Sequence, residues 1–342
     1  MRGLKNLPVW LAKTILLEPL RIIEALLYER KISHYIIKQS PVFILGHYRS
    51  GTTYLHQLFS KDTRFGWQTL FEEVAPDIMF LAEKPLVPIM QIISDALNAR
   101  NNYHRIRLKW DFPAEEEVAL MGMLSEHTSY WGFLFPEIFI EYYSAYLNFT
   151  DHHLKEKWQK DYTWLLKKLS IKNEDKRLVL KSPPNTARIR ELLELFPDAR
   201  FIYLSRDPYE LYSSASRLWD VILKYDSLGP YRNIDRSEYI FKGLEIMLDR
   251  YFETRQSIPA GHLMEIDYNC LLHQPIPTME SIYHYLKLPD FEYCRPMLQV
   301  FADDQKKYEV MQHRLPEDMR SEISKRWSRY IKDYERIKTT AC

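Results

Sequence analysis

Four short apolar runs, each bounded by polar or turn residues, set the rhythm of this chain: Val42–Gly46, Leu178–Lys181, Arg200–Ser205 and Leu263–Asp267. Near-continuous apolarity over so few residues is the mark of parallel strands buried on both faces. Helical periodicity follows them. Leu55, Leu58 and Phe59 repeat at i, i+3, i+4 after the first run, and Ile189, Leu192, Leu193 and Phe196 at i, i+3, i+4, i+7 after the second. Strand-helix alternation of this kind predicts an α/β domain around a parallel sheet. The middle of the chain, roughly 67–170, reads as helical and rich in aromatics. It is expected to be an insertion covering the carboxyl ends of the strands, where open α/β sheets bind ligands. Near the end, Ile323, Trp327, Tyr330, Tyr334 and Ile337 form a helical stripe opposite charged positions, which predicts core packing.

Composition narrows the picture. The 342 residues hold only 9 glycines and carry no repeat or low-complexity tract, so one domain is expected over 1–342, with 1–40 a helical segment packed on it. Lys13 and Glu18 interrupt the N-terminal run LPVWLAKTILLEPLRII, leaving it too short to span a membrane. Packing on the domain's own core is the expectation, with an interfacial helix making weak membrane-surface contact as the alternative. With 47 basic against 46 acidic residues there is no broad field for gripping nucleic acid, so an anionic ligand must be held locally. Three cysteines, Cys270, Cys294 and Cys342, lack metal-ligand spacing and predict neither a disulfide framework nor a zinc site, which points to a reducing, cytoplasmic setting. Oligomeric state is not written in the sequence.

The candidate chemistry begins in residues 41–59, PVFILGHYRSGTTYLHQLF, a strand, a turn and the opening of a helix. From Gly46 to Thr53 the turn matches G-x-x-x-x-G-K-[ST] except that Thr52 stands where the lysine belongs. A glycine-rich turn feeding a helix aims backbone N–H groups and the positive helix end at an anion. Without the lysine, the cation available inside the loop is Arg49. The pattern predicts an anion clamped by arginine and hydroxyls, with no metal.

A second constellation lies in 178–217, LVLKSPPNTARIRELLELFPDARFIYLSRDPYELYSSASR. Lys181 ends one strand and Arg206 the next, so both are expected on the sheet edge where the Arg49 loop emerges. Asp207-Pro208 marks a helix entry, which puts Ser213 and Ser214 two turns inside, within reach of a phosphate held by Arg206.

Taken together, Y-R-S-G-T-T after a first strand and R-D-P-x-x-x-x-x-S after a later one resemble the sulfotransferases that use 3′-phosphoadenosine-5′-phosphosulfate, PAPS. The L-K-S-P-P and L-F-P-D-A-R-F-I-Y-L-S-R-D-P runs are similar to the broad bacterial branch related to tyrosylprotein sulfotransferases. The resemblance implies a P-loop NTPase-like sheet flanked by helices, with the loop Arg49, Ser50, Gly51, Thr52 and Thr53 holding the 5′-phosphosulfate. It implies Arg206 and Ser214 at the 3′-phosphate, and Lys181 at the bridging oxygen as it leaves. Tyr268, in MEIDYNCLLHQP, resembles a family Y-E-D-L segment on the adenosine side, with Asn269 replacing the acid. The charged stretch 305–313, QKKYEVMQH, is a candidate closure over the nucleotide.

Sulfuryl transfer needs an aligned acceptor, charge stabilisation on the leaving oxygen and a proton acceptor. Arg49 and Lys181 are candidates for the charge. For the proton, DFPAEEEVALM places Glu115, Glu116 and Glu117 at a helix start, where acids also favour the macrodipole. The family resemblance supports Glu115 or Glu116 as base or acceptor anchor. His47, His127 and the pair Glu72-Glu73 are rivals.

Downstream, residues 127–149, HTSYWGFLFPEIFIEYYSAYLNF, are dense in aromatics, among them Tyr130, Trp131, Phe133 and Phe135. Such a stretch predicts a pocket for an apolar alcohol or phenol, such as a steroid, with packing of the insertion's own core as the alternative. Sulfation of a glycan, lipid or peptide hydroxyl is the alternative acceptor class. A P-loop kinase, with Asp267 as its loose metal-binding candidate, and a catalytically silent nucleotide-binding protein are the competing functions.

Overall fold

The computed structural model describes residues 7–101, 109–123, 127–229, 234–305 and 315–340. Five parallel strands form one sheet in the order β2-β3-β1-β4-β5, with β1 at Val42–Leu45, β2 at Phe65–Gly66, β3 at Arg177–Lys181, β4 at Arg200–Ser205 and β5 at Leu263–Asp267. All four apolar runs are strands. The two-residue edge strand β2 is too short to show a period.

The register sorts the two faces. Val42, Ile44, Val179, Ile202, Leu204 and Ile266 pack in one apolar cluster, and Phe43, Leu45, Leu178, Leu180, Phe201 and Tyr203 in another. Sixteen α-helices surround the sheet among the described residues. The first four are α1 (Leu7–Ser33), α2 (Thr52–Phe59), α3 (Leu70–Val74) and α4 (Met79–Asn101). After them come α5 (Glu116–Gly122), α6 (Trp131–Leu134), α7 (Phe139–Asn148) and α8 (His152–Lys172). Helices α3 to α8 constitute the expected insertion between β2 and β3. The second half supplies α9 (Ile189–Leu195), α10 (Pro208–Val221), α11 (Arg236–Thr254), α12 (Tyr268–His273), α13 (Pro275–Tyr285) and α14 (Arg295–Gln305). The chain closes with α15 (Glu317–Arg326) and α16 (Ser328–Thr340), whose buried Ile323, Trp327, Tyr330, Tyr334 and Ile337 are the predicted stripe.

Three findings depart from expectation. The aromatics of 127–149 are largely core: Phe133, Phe139, Tyr143, Tyr146 and Phe149 are buried, and Phe139 stacks on Tyr143 with centroids 4.9 Å apart and meets Trp219 edge-on. Packing of α7 against α11 decides this, so these rings do not line an open pocket. Over residues 15–33, α1 packs by one face, and its other face is exposed. Finally, Cys294 is buried and free, but Cys270 is disulfide-bonded, a correction to the reading of the cysteine spacing.

Candidate active site

The loop after β1 is shaped by backbone conformations that favour glycine. Gly46, Arg49 and Gly51 have φ of 145°, 70° and 98°. A Cβ on Gly51 would lie 2.3 Å from the Tyr268 ring, and one on Gly46 2.7 Å from Ser50 Oγ. Within the turn, Ser50 donates from its N–H and from its hydroxyl to the His47 carbonyl, at 3.1 and 2.7 Å. Behind it, Gly46 N–H donates to Thr186 Oγ1 at 2.8 Å. Thr186, in the P-P-N-T turn after β3, is a brace that no sequence pattern announced. The tight turn leaves the first N–H groups of α2, at Thr52 and Thr53, as donors for an anion.

Two strand-end cations meet beside this loop. Arg49 Nε donates to Ser214 Oγ on α10 at 3.0 Å, and Arg206 Nη1 donates to the Arg49 carbonyl at 2.8 Å. Arg206 also lies over the Tyr268 ring, 4.5 Å from its centroid, and pairs with Glu210 at 3.1 Å. Arg217, one turn beyond Ser214, adds to the cluster. The Arg49 guanidinium is pressed below its ordinary range by desolvation and then by the charges of Arg206 and Arg217. A pocket of guanidiniums that repel one another is electrostatically completed by a multivalent anion. Ser213 is partly buried beside the buried Ser214. Residues 306–313 lie outside the described residues, so the expected closure segment is represented only by Gln305.

Across the sheet edge stands the acidic half. The Lys181 side chain, 3% exposed, forms an ion pair with Glu115, whose second oxygen accepts from Tyr130 Oη. Glu115 N–H donates to Glu73 Oε2 at 3.0 Å. An antiparallel bridge between Thr69 and Pro113, with Ala114 N–H donating to the Gln68 carbonyl at 2.9 Å, brings these distant segments together. Burial, reinforced by the Glu115 charge, pushes the Glu73 carboxyl up to about 7. The Tyr48 ring, inside the loop, lies 6.3 Å from that of Tyr130, which links the acidic half to the anion half.

The three neighbouring glutamates have separate environments. Glu116 is fully buried and accepts from Lys181 N–H at 2.7 Å; its other oxygen has no hydrogen-bond partner among the described residues, and burial raises it to about 7. Glu117 is fully buried against Arg188 and Ser129, which outweigh desolvation and hold its carboxyl below the ordinary range. Glu72 closes a capping box with Thr69 and pairs with Lys172. His47 is buried with Nδ1 on the Tyr48 carbonyl, and burial depresses it to about 4, so it is neutral at pH 7. His127 bonds Asp161 on α8 at 2.8 Å. Asp267 is buried at the end of β5, raised by desolvation. Among the described residues no group of three or more His, Cys, Asp or Glu is placed to hold a metal ion.

A family model described as Sulfotransferase family matches residues 41–293, and the chain belongs to that family. It is 26% identical over 315 residues to omega-hydroxy-beta-dihydromenaquinone-9 sulfotransferase Stf3 of Mycobacterium bovis, covering 91% of this chain and 79% of that one. The same comparison holds for Stf3 of Mycobacterium tuberculosis. Among solved structures, sulfotransferase STF9 from Mycobacterium avium superposes with a TM-score of 0.75 at 16% identity, over 91% of this chain and 81% of that one. Sulfotransferase STF1 from Mycobacterium tuberculosis gives 0.68 at 18%, over 90% and 81%.

Proposed function

We propose that this member of the sulfotransferase family moves the sulfuryl group of PAPS to the hydroxyl of an apolar, lipid-like alcohol. One observation carries the donor half: Arg49, Ser214 and Arg206 are joined by direct hydrogen bonds around a loop whose Gly51 admits no side chain. That cradle fits a nucleotide bearing phosphate at two ends. Arg49 with the N–H and hydroxyl groups of Thr52 and Thr53 would hold the 5′ end, Arg206 and Ser214 the 3′-phosphate, and Tyr268 the adenosine side. The bound donor supplies an activated sulfuryl group; the rest falls to the chain's own side chains.

Lys181 and Arg49 stabilise negative charge on the leaving bridging oxygen as its bond to sulfur breaks. The acceptor oxygen forms the new bond to sulfur, and its proton passes to the Glu73–Glu115 carboxyl pair. Burial and then the neighbouring Glu115 charge raise the Glu73 carboxyl to about 7, where it can take up a proton near neutral pH. Support for an apolar acceptor comes from the named substrate of the relative Stf3, a hydroxylated dihydromenaquinone. A steroid or phenol is a narrower version of the same class.

The test is mass spectrometry of reactions with PAPS and a panel of long-chain alcohols, quinols, sterols, phenols and oligosaccharides. An apolar alcohol should gain one SO₃ and the oligosaccharides none. Transfer from ATP in place of PAPS, or preference for the oligosaccharide, would overturn the proposal.

A further inference from the structure

Helix α1 is amphipathic in an unusual sense. Its inner side is well partnered: Leu17 and Leu20 pack on the cluster of Phe71, Ile78 and Ala82, and Glu24 is buried against Lys168 at 2.7 Å. Its outer side is apolar too. Leu16, Ile23 and Leu27 form one exposed row at i, i+7, i+11, and Ile15, Ile22 and Leu26 form the next; exposures reach 77% at Leu16 and 81% at Leu26. Together the rows cover about 140° of the helix circumference. On α4, which shares the Phe71 cluster with α1 through Leu86, Val87 and Met90, Ile89, Ile92 and Ile93 are exposed as well.

Isolated exposed leucines need no explanation, but two adjoining helices with unpartnered apolar rows do. We infer that the outer faces of α1 and α4 dock this protein on a lipid bilayer, in the plane of the interface, beside the membrane-resident acceptor. Several features favour a bilayer. No helix among the described residues is long and apolar enough to cross a membrane, and Pro19, Arg21 and Glu18 interrupt α1, so its apolar side must lie on a surface. Arg30 and Lys31 end the apolar stretch as exposed cations, the charge that phosphate headgroups attract, and Lys84 is exposed on α4. The face is also continuous with the chemistry. The apolar cluster beneath it includes Phe71 on α3, the helix that carries Glu73. A long apolar alcohol leaving the bilayer would therefore meet protein at α1 and α4 close to where its hydroxyl is needed. The cavity of about 260 Å³ between α1 and α8 is lined by Glu18, Arg21, Glu24, Asp77 and Lys168 and is too charged to be the lipid's route.

The inference rests on the proposed acceptor class only for its catalytic arm, and the experiment separates the two. The full chain is floated with phosphatidylcholine vesicles and with vesicles containing phosphatidylserine. The wild type should co-float with both, more strongly with the second, and the triple variant Leu16→Glu, Ile23→Glu, Leu27→Glu should lose at least tenfold in bound fraction. A second variant, Ile89→Glu with Ile92→Glu, should show a smaller loss. Both variants should keep wild-type affinity for adenosine 3′,5′-bisphosphate, which reports an intact fold. Turnover of a vesicle-embedded alcohol should fall at least tenfold in the triple variant while turnover of a short soluble alcohol is unchanged. Absence of wild-type flotation overturns the inference, as does a dimer on light scattering that the triple variant dissolves. Flotation without sulfation of any alcohol would preserve the docking surface and defeat the proposed acceptor.

Discussion

Arg49 Nε donates to Ser214 Oγ at 3.0 Å, tying the phosphate loop after β1 directly to the helix after β4. Arg206 donates to the carbonyl of the same Arg49 at 2.8 Å. The two ends of the proposed nucleotide site are thus joined through direct hydrogen bonds. Such preorganisation reduces the ordering cost of binding.

Removing Arg206 should therefore strike the 3′-phosphate. Arg206→Ala is expected to weaken adenosine 3′,5′-bisphosphate by about 2–4 kcal/mol, as for a partly buried charge pair, while changing AMP affinity little. Isothermal calorimetry with both ligands measures the difference. Equal losses for the two would place Arg206 elsewhere in the site.

The charge on the leaving oxygen is assigned to side chains. Turnover should persist in EDTA, and Lys181→Met should lower kcat by about 10²–10³ while bisphosphate binding changes far less. Single-turnover kinetics beside equilibrium binding checks it. Activity that vanishes on chelation and returns with magnesium would favour the kinase reading.

Gly51 combines a positive φ of 98° with a site where a Cβ would sit 2.3 Å from Tyr268. Gly51→Ala is expected to cost roughly 1–3 kcal/mol of stability and most nucleotide affinity. Adding Tyr268→Ala removes the clash but not the backbone strain, so chemical denaturation should show partial recovery. Full recovery would mean that sterics alone made glycine necessary.

Burial raises Glu73 and Glu116 to about 7 from an ordinary 4.5. In that interval the unfolded chain ionises first and the folded chain holds more protons. Stability is therefore full below about 4.5 and declines as pH rises through 7. Glu116→Gln keeps the shape without the charge, so its melting temperature should gain on the wild type toward pH 8. An identical difference at pH 5 and pH 8 would count against a raised carboxyl.

The buried pair Arg188 and Glu117 holds the helix after Pro113 under the acidic half of the site, with both side chains fully buried. Glu117→Gln should destabilise by roughly 3–5 kcal/mol by leaving an uncompensated guanidinium. Urea denaturation reads the loss. A change below 1 kcal/mol would show that the surrounding hydrogen bonds carry the pair without its charge.

Periodicity and spacing by themselves determined the four main strands, the helices after them, the loop from Gly46 to Thr53 and the strand-end positions of Lys181 and Arg206. Each is a local property: a strand's apolar run or a turn's glycine is written in consecutive residues. What the tertiary structure decided involves contacts between segments far apart in sequence. Glu73 reached Glu115 through the pairing of Thr69 with Pro113, Thr186 came to brace Gly46, and Glu115, Glu116 and Glu117, alike in sequence, received three different partners. The aromatics of 127–149 read as a pocket lining in sequence, and packing of Phe139 and its neighbours against Trp219 made most of them core. Helix α1 read as an apolar run broken by charges, and only the position of its neighbours determined which of its apolar residues were buried and which were left to solvent. Local pattern fixes what an element is; burial and charge depend on what the rest of the chain brings against it.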